Sequence, residues 1–236
     1  MYYYYSYYNN YNQNYNNYNQ KPEYYEIGET YLKFDFEFNE QNKAIIKKTF
    51  SKYYMVISKE LLEYSDFVKV SIEFDKGSLK TRIRIWGLVA TIYIGVGQYG
   101  SFRQGVKQII VDVKNFSEYV INNFEKEPQI GTKRIIRYEK RTALTGRIYD
   151  IYRSIDKLEK RLNTLSQYEI KTELRSIKQR ISDILTLLPE DTRQHFLKEL
   201  PENYKNNLPE PNERKVNYLI NRYALKPDEE IEFIEK

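Results

Sequence analysis

The sequence predicts an α+β fold. It should have a β-α-β-β-α N-terminal domain, ferredoxin-like if one more short strand completes it, followed by a helical hairpin or coiled coil and short C-terminal helices. Three observations carry this. Apolar residues alternate with polar ones around Leu32–Phe38 and again around Val68–Ile85, the period of half-buried strands. Apolar residues recur at helical spacing between and after those runs. Finally, Leu144, Ile148, Ile151, Ile155, Leu158, Leu162 and Leu165 stand at strict 4-3 spacing, an a/d heptad seam.

Residues 1–25 form a low-complexity tail, and its first twenty contain only Met, Tyr, Asn, Gln and Ser. With almost no aliphatic side chain it cannot build a core of its own, and its Tyr/Asn composition is that of sticky, self-associating segments. The α+β domain should occupy 26–139. Leu32, Phe34, Phe36 and Phe38 alternate with Lys33, Asp35 and Glu37 as its first strand. Ile46, Phe50, Tyr53, Ile57, Leu61 and Tyr64 then spell an amphipathic helix over about 41–64.

A hairpin is expected next, turning at Asp75-Lys76-Gly77-Ser78. Pairing Phe74 with Leu79 sets Ile72 opposite Thr81, Val70 opposite Ile83, and Glu73 opposite Lys80, which matches apolar to apolar and acid to base. The second arm continues past Gly87 toward Ile94. Ser101 and Gln104 make a capping-box pattern for a helix striped by Phe102, Val106, Ile109, Val113, Phe116 and Val120 and stopped near Pro128. A short strand at 133–138 would complete a β-α-β-β-α-β sandwich; otherwise that stretch opens the long helix.

The heptad region spans 140–188. Its second run is Ile170, Leu174, Ile177, Ile181, Ile184 and Leu188, and the spacing slips between Leu165 and Ile170. Ser166 and Glu169 form a capping box at the slip, so a break and an antiparallel hairpin are favoured over one continuous helix. Over 189–236 the prolines at 189, 201, 209 and 211 interrupt short helices, and a small helix fits 212–224. The last ten residues alternate acids with Ile231, Phe233 and Ile234, a peptide suited to a sheet edge or a basic groove.

Composition narrows the function. The absence of Cys excludes disulfides, thiolate metal sites and Cys nucleophiles, and the single His195 excludes a two-His site within one chain. His195 among Glu190, Asp191 and Glu199 reads as a surface residue, so neither a catalytic centre nor a cofactor is expected. No secretory signal is legible, and the apolar stretch from Trp86 to Tyr99 is short of the ~20 residues a spanning helix needs. A cytoplasmic location is therefore expected.

Gly95-Val96-Gly97-Gln98-Tyr99-Gly100 is a literal GxGxxG between a strand and a helix. The preceding strand is a hairpin arm, however, and no ribose-binding acid follows, so a tight strand-to-helix turn is the simpler reading. Anion capture at Ser101 and Arg103 is a further use. Two basic clusters remain: Lys80, Arg82 and Arg84 beside Trp86, and Lys133, Arg134, Arg137, Lys140 and Arg141 running on to Arg147.

The leading expectation is a non-enzymatic scaffold or adaptor. It would self-associate as a homo-oligomer through the seam from Leu144 to Leu165 and through Ile170, Leu174, Ile177 and Ile181, and it would bind other proteins through its ends. The alternative is a nucleic-acid-binding protein using the two basic clusters. Salt separates them, because phosphate contacts weaken steeply with salt and apolar packing does not.

Overall fold

Four strands and seven helices order the part of the chain that the computed structural model describes, residues 24–35, 39–60, 68–75, 80–88, 100–130 and 134–225. They are β1 (Tyr24–Phe34), α1 (Glu40–Glu60), β2 (Val68–Phe74), β3 (Lys80–Leu88), α2 (Phe102–Lys126), β4 (Ile135–Arg141), α3 (Ala143–Arg161), α4 (Gln167–Leu185), α5 (Glu190–Lys198), α6 (Glu202–Lys205) and α7 (Glu213–Tyr223). The α+β class expected from the sequence is therefore the observed one. The strands form one antiparallel sheet in the order β2-β3-β1-β4. Two crossovers interleave in it: the connection through α1 steps over β3, and the connection through α2 steps over β1.

Alternation explains how the sheet seats its helices. Leu32 and Phe34 of β1, Val70 and Ile72 of β2, and Ile83 and Ile85 of β3 are at most 3% exposed. From α2, the full predicted stripe of Phe102, Val106, Ile109, Val113, Phe116 and Val120 is at most 1% exposed. Each such side chain contributes roughly 1.5–3 kcal/mol. Gly28 marks where β1 and α2 come closest: a Cβ there would sit 2.3 Å from Val113 Cγ1. Nearby, Thr30 Oγ1 donates to Ser117 Oγ at 2.8 Å. Ile46, Phe50 and Tyr54 bring α1 onto the same face.

Several boundaries differ from the sequence reading. Strand β1 begins at Tyr24, eight residues before the alternation that announced it, and Phe36 and Phe38 lie outside the described residues. The hairpin pairs Phe74 with Thr81, Ile72 with Ile83, Val70 with Ile85 and Glu73 with Arg82, so β3 is displaced by two residues from the expected register. The Asp75 N–H donates to the Lys80 carbonyl at 3.0 Å and closes a longer loop than the predicted turn. A slip of two preserves which face each side chain occupies, so alternation could not distinguish the registers. Residues 135–141 form a strand and not the start of α3.

The heptad region does break into two helices. Ser166 Oγ accepts the Glu169 N–H at 3.3 Å, and Glu169 Oε2 accepts the Ser166 N–H at 2.8 Å, so both halves of the capping box form. Helix α3 packs on β1 and α2, and α4 packs on α3. The seam residues Leu144, Ile148, Ile151, Ile155 and Leu158 are at most 4% exposed, buried in the hydrophobic cluster that also holds β1 and α2 residues. Ile177 and Ile181 are buried too, Leu165 and Leu174 are partly buried, Ile170 is half-buried, and Leu162 is 44% exposed. Most of the stripe thus has an intrachain partner. No helix among the described residues is long and apolar enough to cross a membrane.

Candidate functional site

Two charged features sit where β1, β4, α3 and α7 meet. The first is a buried ion network on the sheet face opposite α1 and α2. Glu26 and Glu29 are 0% exposed. Arg84 reaches Glu29 at 3.3 Å, Glu26 at 3.5 Å and Glu73 at 3.1 Å. Arg222 of α7 reaches Glu26 at 3.2 Å, and Arg141 of β4 pairs with Glu29 and with Glu139. Burial and the neighbouring Glu29 push the Glu26 carboxyl up to about 7, against the pull of Arg222 and Arg84. Its Oε2 takes the arginine contacts, while Oε1 is buried with no hydrogen-bond partner among the described residues.

The second feature is a cleft of about 380 Å³ beside this network. Six cations line it: Lys114, Lys140, Arg141, Arg147, Arg153 and Arg222. Against them stand Glu26 and Asp150. Some of the positive charge is spent locally: Lys140 pairs with Glu118, Arg153 with Asp150 at 3.5 Å, and Arg222 and Arg141 with the buried glutamates. Lys114 and Arg147 have no carboxylate within ion-pair distance among the described residues. Arg147 donates from Nε to the Tyr223 hydroxyl at 3.4 Å.

The start of α3 forms one wall of the cleft, through Thr142, Ala143 and Gly146. Only Thr142 separates β4 from α3, and this abrupt turn places Ala143 at a φ of 40°. Thr142 packs so closely that a Cβ on Gly146 would lie 2.2 Å from its Oγ1. It nonetheless gives α3 no side-chain cap, so the positive end of the helix dipole lies at the cleft wall formed by Ala143 and Gly146, while the Gly146 N–H is taken by the Thr142 carbonyl at 2.8 Å. Thr145 Oγ1 donates to the Ile27 carbonyl at 3.0 Å and fixes this helix end beside Glu26.

The start of α2, which the glycine-rich motif precedes, is built the opposite way. Glu199, the residue following α5, accepts N–H bonds from Phe102 and from Arg103, the latter at 2.8 Å. Ser101 Oγ accepts from the Gln104 N–H at 3.2 Å. The Arg103 guanidinium is held by both oxygens of Asp156. The chain's own carboxylate therefore fills the position where a phosphate would sit. Of the motif itself, only Gly100 lies within the described residues, at a φ of 75°.

The two predicted basic clusters fare differently. Arg82 pairs with Asp75 at 3.0 Å, Arg84 is drawn into the buried network, and Lys80 is half-buried at the hairpin end. Along β4, by contrast, Arg134 is exposed, the Arg137 side chain is 65% exposed, and Ile136 and Tyr138 are 54% and 52% exposed. Arg137 pairs with Glu139. Lys140 and Arg141 join the cleft, whereas Arg103 lies in a separate ion pair. Lys133, Ile231, Phe233 and Ile234 lie outside the described residues.

Sequence reasoning missed Glu26, Lys114, Arg153 and Arg222, because they come from four elements far apart in the chain. The one legible signal was Glu26 and Glu29 lying so near a strand's apolar run. Among the described residues no group of three or more His, Asp or Glu is placed to hold a metal ion. No protein-family model matches the chain, and no curated protein or solved structure is significantly similar to it.

Proposed function

We propose that this protein binds single-stranded nucleic acid along β4 and the start of α3. The observation that carries the reading is the outer strand itself. Tyr138 and Ile136 are more than half exposed among Arg134, Arg137, Lys140 and Arg141, and this strip leads into the basic cleft. From Arg134 to Arg153 six cations face two acids. Cations tracking a phosphate backbone beside an aromatic ring that accepts a stacked base are the common equipment of such proteins. The fold we assign with it is a ferredoxin-like sandwich, which the element order and the strand order β2-β3-β1-β4 support.

The test is fluorescence anisotropy with a labelled 20-nucleotide RNA at two salt concentrations. With about three phosphates neutralised, a fourfold rise in salt weakens binding roughly 20-fold. Tyr138→Ala and Arg137→Ala each weaken it at low salt. Absence of binding at low salt, or binding indifferent to salt, overturns the reading.

A self-associating scaffold is the second reading. What favours it is the tip of the α3–α4 hairpin, where Leu162 is 44% and Tyr168 80% exposed. Light scattering on a sizing column decides it, since a monomer at high protein concentration leaves that tip without a partner copy.

A further inference from the structure

The basic cleft is shaped for something more specific than a passing phosphodiester, and the inference rests on the nucleic-acid reading above. Three independent features converge there. Lys114 and Arg147 have no carboxylate within ion-pair distance among the described residues, Asp150 acting on Arg147 only from farther off, while their neighbours Lys140, Arg153 and Arg222 are paired. The start of α3, which has no side-chain cap, brings the positive end of its dipole to the cleft wall. Lining the cleft, Glu26, whose side chain is 1% exposed, carries an oxygen with no hydrogen-bond partner among the described residues. A buried acceptor left alone costs free energy unless something donates to it.

An anion alone answers the first two features and worsens the third. The ligand must therefore present a concentrated negative charge and, within one residue's length, a hydrogen-bond donor. A terminal phosphate monoester carries about −1.5 to −2 charges, where an internal phosphodiester carries one, and a ribose beside it offers a hydroxyl. The volume of about 380 Å³ falls at the small end of ligand clefts and suits one nucleotide. We propose that the cleft receives a ribonucleoside 5′-phosphate, the terminal residue of an RNA strand, with Lys114, Arg147 and the start of α3 around the phosphate and Glu26 Oε1 sharing a hydrogen bond with the ribose 2′-hydroxyl.

The experiment compares four probes on the full chain by anisotropy at fixed salt: one RNA sequence with a 5′-phosphate or a 5′-hydroxyl, the 5′-phosphorylated DNA of the same sequence, and free adenosine monophosphate as competitor. The 5′-phosphorylated RNA is expected to bind at least about tenfold tighter than its 5′-hydroxyl form, the scale of one charged hydrogen bond. The 5′-phosphorylated DNA should bind more weakly than the RNA. Arg147→Gln and, separately, Lys114→Gln should bring the phosphate-to-hydroxyl ratio toward one. Lys114 is solvent-exposed on α2, so its replacement tests the site even if the Arg147 variant fails to fold.

Equal affinity for the two RNA ends overturns the inference while leaving salt-dependent binding, and so the broader reading, intact. Equal affinity for 5′-phosphorylated RNA and DNA overturns the role given to Glu26. Competition by the free nucleotide without any preference among strand ends overturns the strand-end assignment. If no strand binds at low salt, the broader reading falls as well.

Discussion

Glu26 is the residue at which this fold departs furthest from ordinary solution chemistry. It faces Glu29 on its own strand, Arg84 of β3, Glu73 of β2 and Arg222 of α7, and Arg141 of β4 holds the neighbouring Glu29. Burial dominates and raises its pKa from 4.5 to about 7. The folded protein thus keeps a proton that the unfolded chain releases. A carboxyl raised in this way contributes stability that is complete below the unfolded value and lost as pH rises through the folded one. Unfolding free energy from urea titrations is expected to fall between pH 5 and 7, by up to about 3 kcal/mol from this group. Glu26→Gln should flatten that decline. An unchanged slope in the variant would place the responsible proton elsewhere.

At the scale of the element, helix ends decide more than helix faces. The apolar stripe of α2 was fully legible from its spacing, and so was the Ser166–Glu169 box that splits the heptad region, because both depend on residues within one or two turns of each other. The anchor at the start of α2 was not legible. Glu199 lies almost a hundred residues from the amides it accepts, and nothing in its own neighbourhood distinguishes it from an exposed acid. Glu199→Ala removes two charged hydrogen bonds from that end and releases the tie between α5 and α2. A loss of about 1–2 kcal/mol is expected, read as a lowered urea midpoint. Strand β1 was half legible for a related reason. Leu32 and Phe34 follow the alternation, but Glu26 and Glu29 break it, and only Arg84, Arg141 and Arg222 from other elements make those acids tolerable inside a sheet.

For the whole molecule, the heptad pattern reported correctly that helices pack through a narrow stripe and could not report against what. Periodicity is a property of one segment, whereas the receiving surface is built by β1 and α2. Truncation separates the buried part of the stripe from its exposed end. Ile151→Ala, at a site 1% exposed, should cost about 2–4 kcal/mol, whereas Leu162→Ala at the hairpin tip should stay within about 0.5 kcal/mol. Denaturation midpoints measure both. Equal effects would mean that the tip is buried in solution, as an assembly would require. The same limit applies to the cleft, whose cations belong to α2, β4, α3 and α7 and acquire meaning only once the fold has gathered them.

The Tyr25–Ala224 bridge, with the Leu225 N–H donating to the Tyr24 carbonyl at 3.0 Å, has a consequence in time. One edge of the start of β1 waits for a partner that a ribosome makes some 200 residues later, long after β3 has supplied the other. Arg222, which neutralises Glu26, arrives in the same late stretch. Such distant pairing slows folding, and a nascent chain emerges from its first residues onward. During synthesis β1 therefore has β3 along one edge while the other edge of its start stays open, and Glu26 has Arg84 but not yet Arg222, until the segment around α7 arrives.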